Sequence, residues 1–111
     1  MGFSRAVVAG GHVFVAGTAP IPADGSAPPA DAYEQTRLCL EIIERALEQA
    51  GAGLEHVVRT RAYLTDPAHY EGYARAHGEV FSEIRPANTT VVTSLLDPAW
   101  MVEIDVDAVL S

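Results

Sequence analysis

Cysteine is nearly absent. Cys39 is the single one in 111 residues, so no internal disulfide can form and a disulfide-stapled scaffold is excluded. Long apolar runs are missing as well: no stretch approaches the ~20 residues that a membrane-spanning helix needs. Basic side chains are scarce, seven against fifteen acidic ones, for a formal charge of −8. Such a surface repels phosphate backbones over most of its area, with a local patch around Arg59 and Arg61 as the exception. No nucleic-acid or membrane partner is therefore expected. What the chain has in quantity is apolar side chains, 49% of the total, which excludes disorder. A chain this long buries about two-thirds of its unfolded surface. That suffices for one core, so residues 1–111 are read as one domain.

The apolar segment Ala6–Ala19 follows Arg5, but His12 interrupts it and Gly10-Gly11 punctuates it. It reads as part of the fold and not as a secretory signal, so a cytoplasmic protein is expected. Arg5–Ala9 and His12–Ala16 are strand-like runs, and two glycines between them signal a hairpin. Pro20–Ala30 (PIPADGSAPPA) is a loop. From Asp31 onward Thr36, Cys39, Leu40, Ile43, Ala46, Leu47 and Ala50 recur at helical spacing, up to a stop at Gly51. Val57–Thr65 reads as a strand, with Val58, Thr60, Ala62 and Leu64 on one face and Arg59, Arg61 and Tyr63 on the other. Asp66-Pro67 starts a second helix and Arg85-Pro86 ends it. Thr89–Leu95 and Met101–Leu110 complete the order ββαβαββ. This is an α+β two-layer sandwich, with two helices over one face of a five- or six-stranded sheet. The other face, carrying Arg61, Tyr63, Glu103 and Asp105, invites self-association.

No glycine-rich phosphate loop or Ser-His-Asp spacing is present. His12, His56, His69 and His77 are scattered and Cys39 lies on a core stripe, so no metal site is expected. His77, on the apolar stripe of the second helix, reads as a semi-buried histidine without a catalytic part. Glu103 interrupts an apolar strand, where a solvated surface is the plain reading. Covered by another copy, it becomes a desolvated carboxylate able to move protons. Asn88, Thr89 and Thr90 place three hydrogen-bonding side chains at a strand start, which fits either turn chemistry or a binding site. Trp100 fits either a cleft wall or a surface cap.

The segments FSRAVVAGGHVFVAGTAPI, EQTRLCLEIIERALEQAG, VVRTRAYLTD, RPANTTVV and MVEIDVDAV, in this order, resemble the Rid family (YjgF or L-PSP endoribonuclease family) over nearly the whole chain. The resemblance implies a chorismate-mutase-like homotrimer with three inter-subunit clefts holding a small-molecule substrate or ligand. It also implies hydrolysis of enamines and imines such as 2-aminoacrylate to a keto acid and ammonia, without cofactor or metal. Glu103 falls on the acidic residue that positions the water, and Gly17 on a glycine lining the cleft. Three positions depart from the pattern of the branch with deaminase activity. Asn88 stands where that branch has the arginine that clasps the substrate carboxylate, a loss of roughly 1.5–3 kcal/mol for an anion. Phe3 replaces a tyrosine and Thr18 a glutamine. The chain thus resembles a divergent subfamily that handles 2-aminoacrylate inefficiently, with Arg61 as a candidate substitute cation. The alternative is a non-catalytic trimer that binds a metabolite or a partner. The ribonuclease role in the family name ranks last, given the charge of −8.

Overall fold

Gly10 and Gly11 both hold positive φ, 56° and 79°, as a two-residue hairpin turn requires and side chains resist. Across this turn β1 (Ala6–Ala9) pairs antiparallel with β2 (His12–Thr18). The structure is a computed structural model describing residues 1–110. The apolar segment after Arg5 is this hairpin.

Helix α1 spans Ala32–Gln49. Asp31 caps it, its Oδ1 accepting from the Glu34 amide at 2.8 Å. Cys39, Leu40, Ile43, Ala46 and Leu47 are buried along the predicted stripe. Thr36 is buried with them and donates its hydroxyl to Ala32 O at 2.7 Å. Burial pushes the Cys39 thiol pKa up, so this cysteine is an inert core residue. Removing the cap by Asp31→Ala is expected to cost about 1 kcal/mol, read as a lower urea midpoint at unchanged slope.

Strand β3 (Val57–Leu64) follows, then a 3₁₀ turn, Pro67–His69, and helix α2 (Tyr70–Phe81). Asp66 caps the 3₁₀ turn through Ala68 N at 2.8 Å, so the Asp-Pro signal starts a tighter first turn before the α-helix proper. The helix ends at Phe81, short of the Arg85-Pro86 stop. The intervening turn closes through the Arg85 amide on Phe81 O, with Arg85 at φ 56°. Strand β4 runs Ala87–Val92, not Thr89–Leu95, and β5 runs Val102–Val109.

The sheet has the order β1-β2-β5-β3-β4. Only β3 and β4 are parallel, as a crossover through α2 demands; the other pairs are antiparallel. The last strand in sequence is therefore central, and Val102, Ile104 and Val106 lie buried beneath the helices. Two irregularities break the alternation. A register shift between Val57 and Arg59 turns Val58 out, 48% exposed, against its predicted place beside Ala62 and Leu64. Another, between Val15 and Thr18, shapes the site described below.

One core residue lies off the apolar pattern. Gln35, buried on α1, donates from Nε2 to Pro29 O and Ala99 O at 2.9 and 3.0 Å. Its Oε1 accepts from the Met101 amide at 2.7 Å. It ties the proline-rich loop and the loop before β5 to one helix, and a buried amide can do so because each of its polar atoms is paired.

Candidate functional site

The helices cover one sheet face; the other is built from odd positions of β5 and β3. Glu103, Asp105 and Asp107 stand opposite Tyr63, Arg61 and Arg59. Arg61 bridges two of these acids, Nη1 to Asp105 and Nη2 to Asp107 at 3.0 Å. Its hydrogen bond to Asp105 holds the guanidinium pKa up. Tyr63 Oη donates to the other oxygen of Asp105 at 2.8 Å, which pushes its phenol pKa up. Among the described residues these ion pairs leave Glu103 out.

Glu103 rests on the backbone of β2. The bulge between Val15 and Thr18 presents Gly17 to it so closely that any Cβ at position 17 would collide with Glu103 Oε2. The same bulge turns Thr18 into the core, where its hydroxyl accepts from Arg5 Nη1 at 2.6 Å and donates to Ala16 O at 2.9 Å. Arg5 Nη2 also donates to Gly17 O at 3.2 Å. Thr18 thus clamps the bulge from behind and offers nothing to a ligand. Glu103, Gly17, Tyr63 and Asp105 line a cleft of about 300 Å³, completed by Thr93, Ser94, Leu95 and Leu96 from the loop after β4.

Asn88 lies elsewhere. In the β3–β4 register it sits beside Thr60, toward the helices. Its Nδ2 donates to Thr60 Oγ1 at 3.0 Å and Tyr73 Oη at 2.8 Å, and its Oδ1 accepts from Thr90 Oγ1 at 2.9 Å. Burial pushes the Tyr73 phenol pKa up. Thr60 Oγ1 also hydrogen-bonds His77 Nε2, 2.9 Å away. His77 lies between the rings of Tyr73 and Phe81, at centroid distances of 5.5 and 4.6 Å. Its place on the stripe is that of a half-buried histidine hydrogen-bonded through Nε2, as the spacing predicts.

Burial lowers the His77 pKa, so the unfolded chain takes up this proton first. Stability conferred by His77 is complete above the unfolded value of about 6.5 and is lost as pH falls through the folded value. Urea unfolding at stepped pH is expected to show a decline that begins below about pH 6.5 and flattens in His77→Gln. An unchanged slope in that variant would assign the decline to other groups.

The structure therefore brings Glu103 and Gly17 together and sets Asn88 and Thr90 on the opposite side of the sheet. Thr89 pairs with Arg61 in register, on the Glu103 face. Phe3, 64% exposed, stands outside the cleft of its own protomer. Arg61 lies on the Glu103 face but is held by two carboxylates, not free to act as a substitute cation. Trp100 lines a separate hollow with Ile21, Pro22 and Pro28. The cleft walls Leu95 and Leu96 were not legible as such, because Leu95 reads as the end of a strand and Leu96 carries no pattern.

These features define a two-layer α+β protein with a small glutamate-centred cleft on the sheet face that the helices leave open. The chain belongs to the L-PSP family, also called YjgF or Rid: the family model described as Endoribonuclease L-PSP matches residues 1–110. A RutC family protein of Pyrococcus abyssi is 36% identical over 104 residues, covering 93% of this chain and 82% of the relative. Among solved structures, a YjgF/YER057c/UK114 family member from Mycobacterium tuberculosis is 42% identical with a TM-score of 0.89, covering 98% of this chain and 87% of the other. Escherichia coli TdcF, solved with bound serine, is 25% identical with a TM-score of 0.90 and coverage of 98% and 88%.

Proposed function

We propose that the protein hydrolyses a small reactive imine or enamine, releasing ammonia, in a homotrimer whose clefts are each closed by a neighbouring copy. The observation that carries this reading is Glu103, unpaired among the described residues and seated on Gly17 at the floor of a ligand-sized cleft. An imine carbon is already electrophilic, so a positioned water and one group that moves protons suffice. Water adds to the carbon as Glu103 takes one of its protons, and the C=N electron pair passes to nitrogen. Glu103 then protonates that nitrogen, the C–N bond breaks as the carbonyl forms, and the carbinol proton passes through Glu103 to the departing nitrogen. Serine bound to the Escherichia coli relative supports a ligand of amino-acid size.

Asn88 bears on the substrate. No arginine stands at this position, and the asparagine amide is taken up by Thr60 and Tyr73. Efficient turnover of 2-aminoacrylate is not expected. In a trimer of the kind the resemblance implies, a neighbouring copy would complete the Glu103 cleft. Sedimentation is expected to give three times the protomer mass; a stable monomer would remove the wall that closes the cleft.

The deciding experiment measures ammonia release over a panel of imines generated by amine and amino-acid oxidation. Acceleration above spontaneous hydrolysis, dependent on Glu103, is the expected result. Equal rates with and without protein across the panel would overturn the reading. RNA cleavage by the pure protein, abolished in Glu103→Ala, would overturn it in favour of the ribonuclease role.

A further inference from the structure

The groups around the Glu103 cleft are arranged against a substrate carboxylate. Arg61, on the same face, is already bound to Asp105 and Asp107. Arg5, behind the bulge, donates to Thr18 Oγ1 and Gly17 O. No free cation lines the cleft among the described residues; its charged linings are Glu103 and Asp105. Asp105 is balanced by Arg61, which leaves Glu103 as the charge a ligand meets. Beside it stands an apolar wall, Leu95 and Leu96, and Leu96 is 95% exposed in the protomer.

Resting on the deaminase reading above, we propose that this cleft selects a small protonated imine with an apolar substituent and no carboxylate. The C=NH₂⁺ end faces Glu103 and the alkyl group lies along Leu95 and Leu96. An unpaired carboxylate beside an apolar wall favours a cation and penalises an anion of the same shape. Protonation also makes the carbon more electrophilic, so the charge that gives affinity also serves the chemistry. The reaction balances as R₂C=NH₂⁺ with water giving R₂C=O and NH₄⁺, one positive charge on each side. The reaction class that supplies such a substrate is the two-electron oxidation of a primary alkylamine, which leaves an imine without a carboxylate.

The test uses two stable probes with one alkyl group and opposite charges, isobutylammonium and isovalerate, titrated into the intact protein by NMR. Isobutylammonium is expected to bind at least about tenfold tighter. Glu103→Gln should erase that preference and Glu103→Asp, which keeps the charge, should preserve it. Tighter binding of isovalerate, or no binding of either probe, overturns the proposal; loss of isovalerate binding in Arg5→Gln would then identify Arg5 as an anion holder.

Turnover separates this proposal from the reading beneath it. If the imine of isobutylamine releases ammonia faster than the imino acid of valine, both stand. If the imino acid is the better substrate, cation selection falls and the deaminase reading survives. If isobutylammonium binds through Glu103 and no imine is hydrolysed, cation selection is upheld and the deaminase reading falls.

Discussion

Glu103→Gln is expected to lower kcat/KM for ammonia release by about 10²- to 10⁴-fold, the usual contribution of a positioned proton-transfer group. Glutamine has nearly the same shape, so the change removes charge and proton affinity without opening a hole. Glu103 lies on the open face and outside the ion pairs of Arg61, so no buried partner is stranded. The thermal midpoint should accordingly move by no more than about 2 °C. Kinetics and melting measured on the same preparation check both halves. Full activity in the variant would mean that this carboxylate moves no proton in the reaction.

Gly17→Ala tests the same centre from the other strand. The added methyl would collide with Glu103 Oε2. The carboxylate is the free end of a flexible side chain and swings aside, so the fold should lose less than about 1 kcal/mol. The reacting geometry, however, depends on that carboxylate. A displacement on the order of 1 Å is expected to lower kcat/KM by about 10²-fold. Steady-state kinetics beside urea unfolding would show the split between an intact fold and a failing site. Wild-type rates in this variant would show that Glu103 works from some other position than the one it holds on Gly17.

The two variants also separate two ways of losing activity. Glutamine keeps the geometry and removes the charge, whereas the alanine methyl keeps the charge and moves it. If charge is what a ligand meets first, Glu103→Gln should weaken cation binding more than Gly17→Ala does. A displaced carboxylate still attracts a cation within the same cleft.

Much of this fold can be read along the chain because its signals are local. Gly10-Gly11, the stripe from Thr36 to Ala50 and the alternation from Val102 to Val106 each follow from one period or one turn. The helix after Asp66-Pro67 was legible in kind but not in extent, since its first turn is 3₁₀ and it ends at Phe81. The site was legible in part. Glu103 stands out as an acid among apolar neighbours, and family resemblance pairs it with Gly17. Thr18 was named through the resemblance alone; strict alternation along β2 would send it to the face of Ala16, and the bulge sends it to the core. Val58 fails by the same mechanism in β3. Gln35 escaped notice because a polar residue beside an apolar stripe looks like solvent-facing surface until its three loop partners are seen.

Sequence by itself determined the class of this protein: two amphipathic helices over one sheet, elements in the order ββαβαββ, and an acidic residue where apolar ones were due. Periodicity does this because burial of one face is a nearest-neighbour property of a helix or strand. Tertiary structure alone decided which polar groups meet. It set Glu103 on Gly17, tied Arg61 to Asp105 and Asp107, and turned Asn88 toward Tyr73 on the far side of the sheet. Those outcomes depend on one-residue bulges and on hydrogen bonds between strands distant in the chain. A shift of one residue exchanges the two faces of a strand, and neither composition nor spacing records where such a shift occurs.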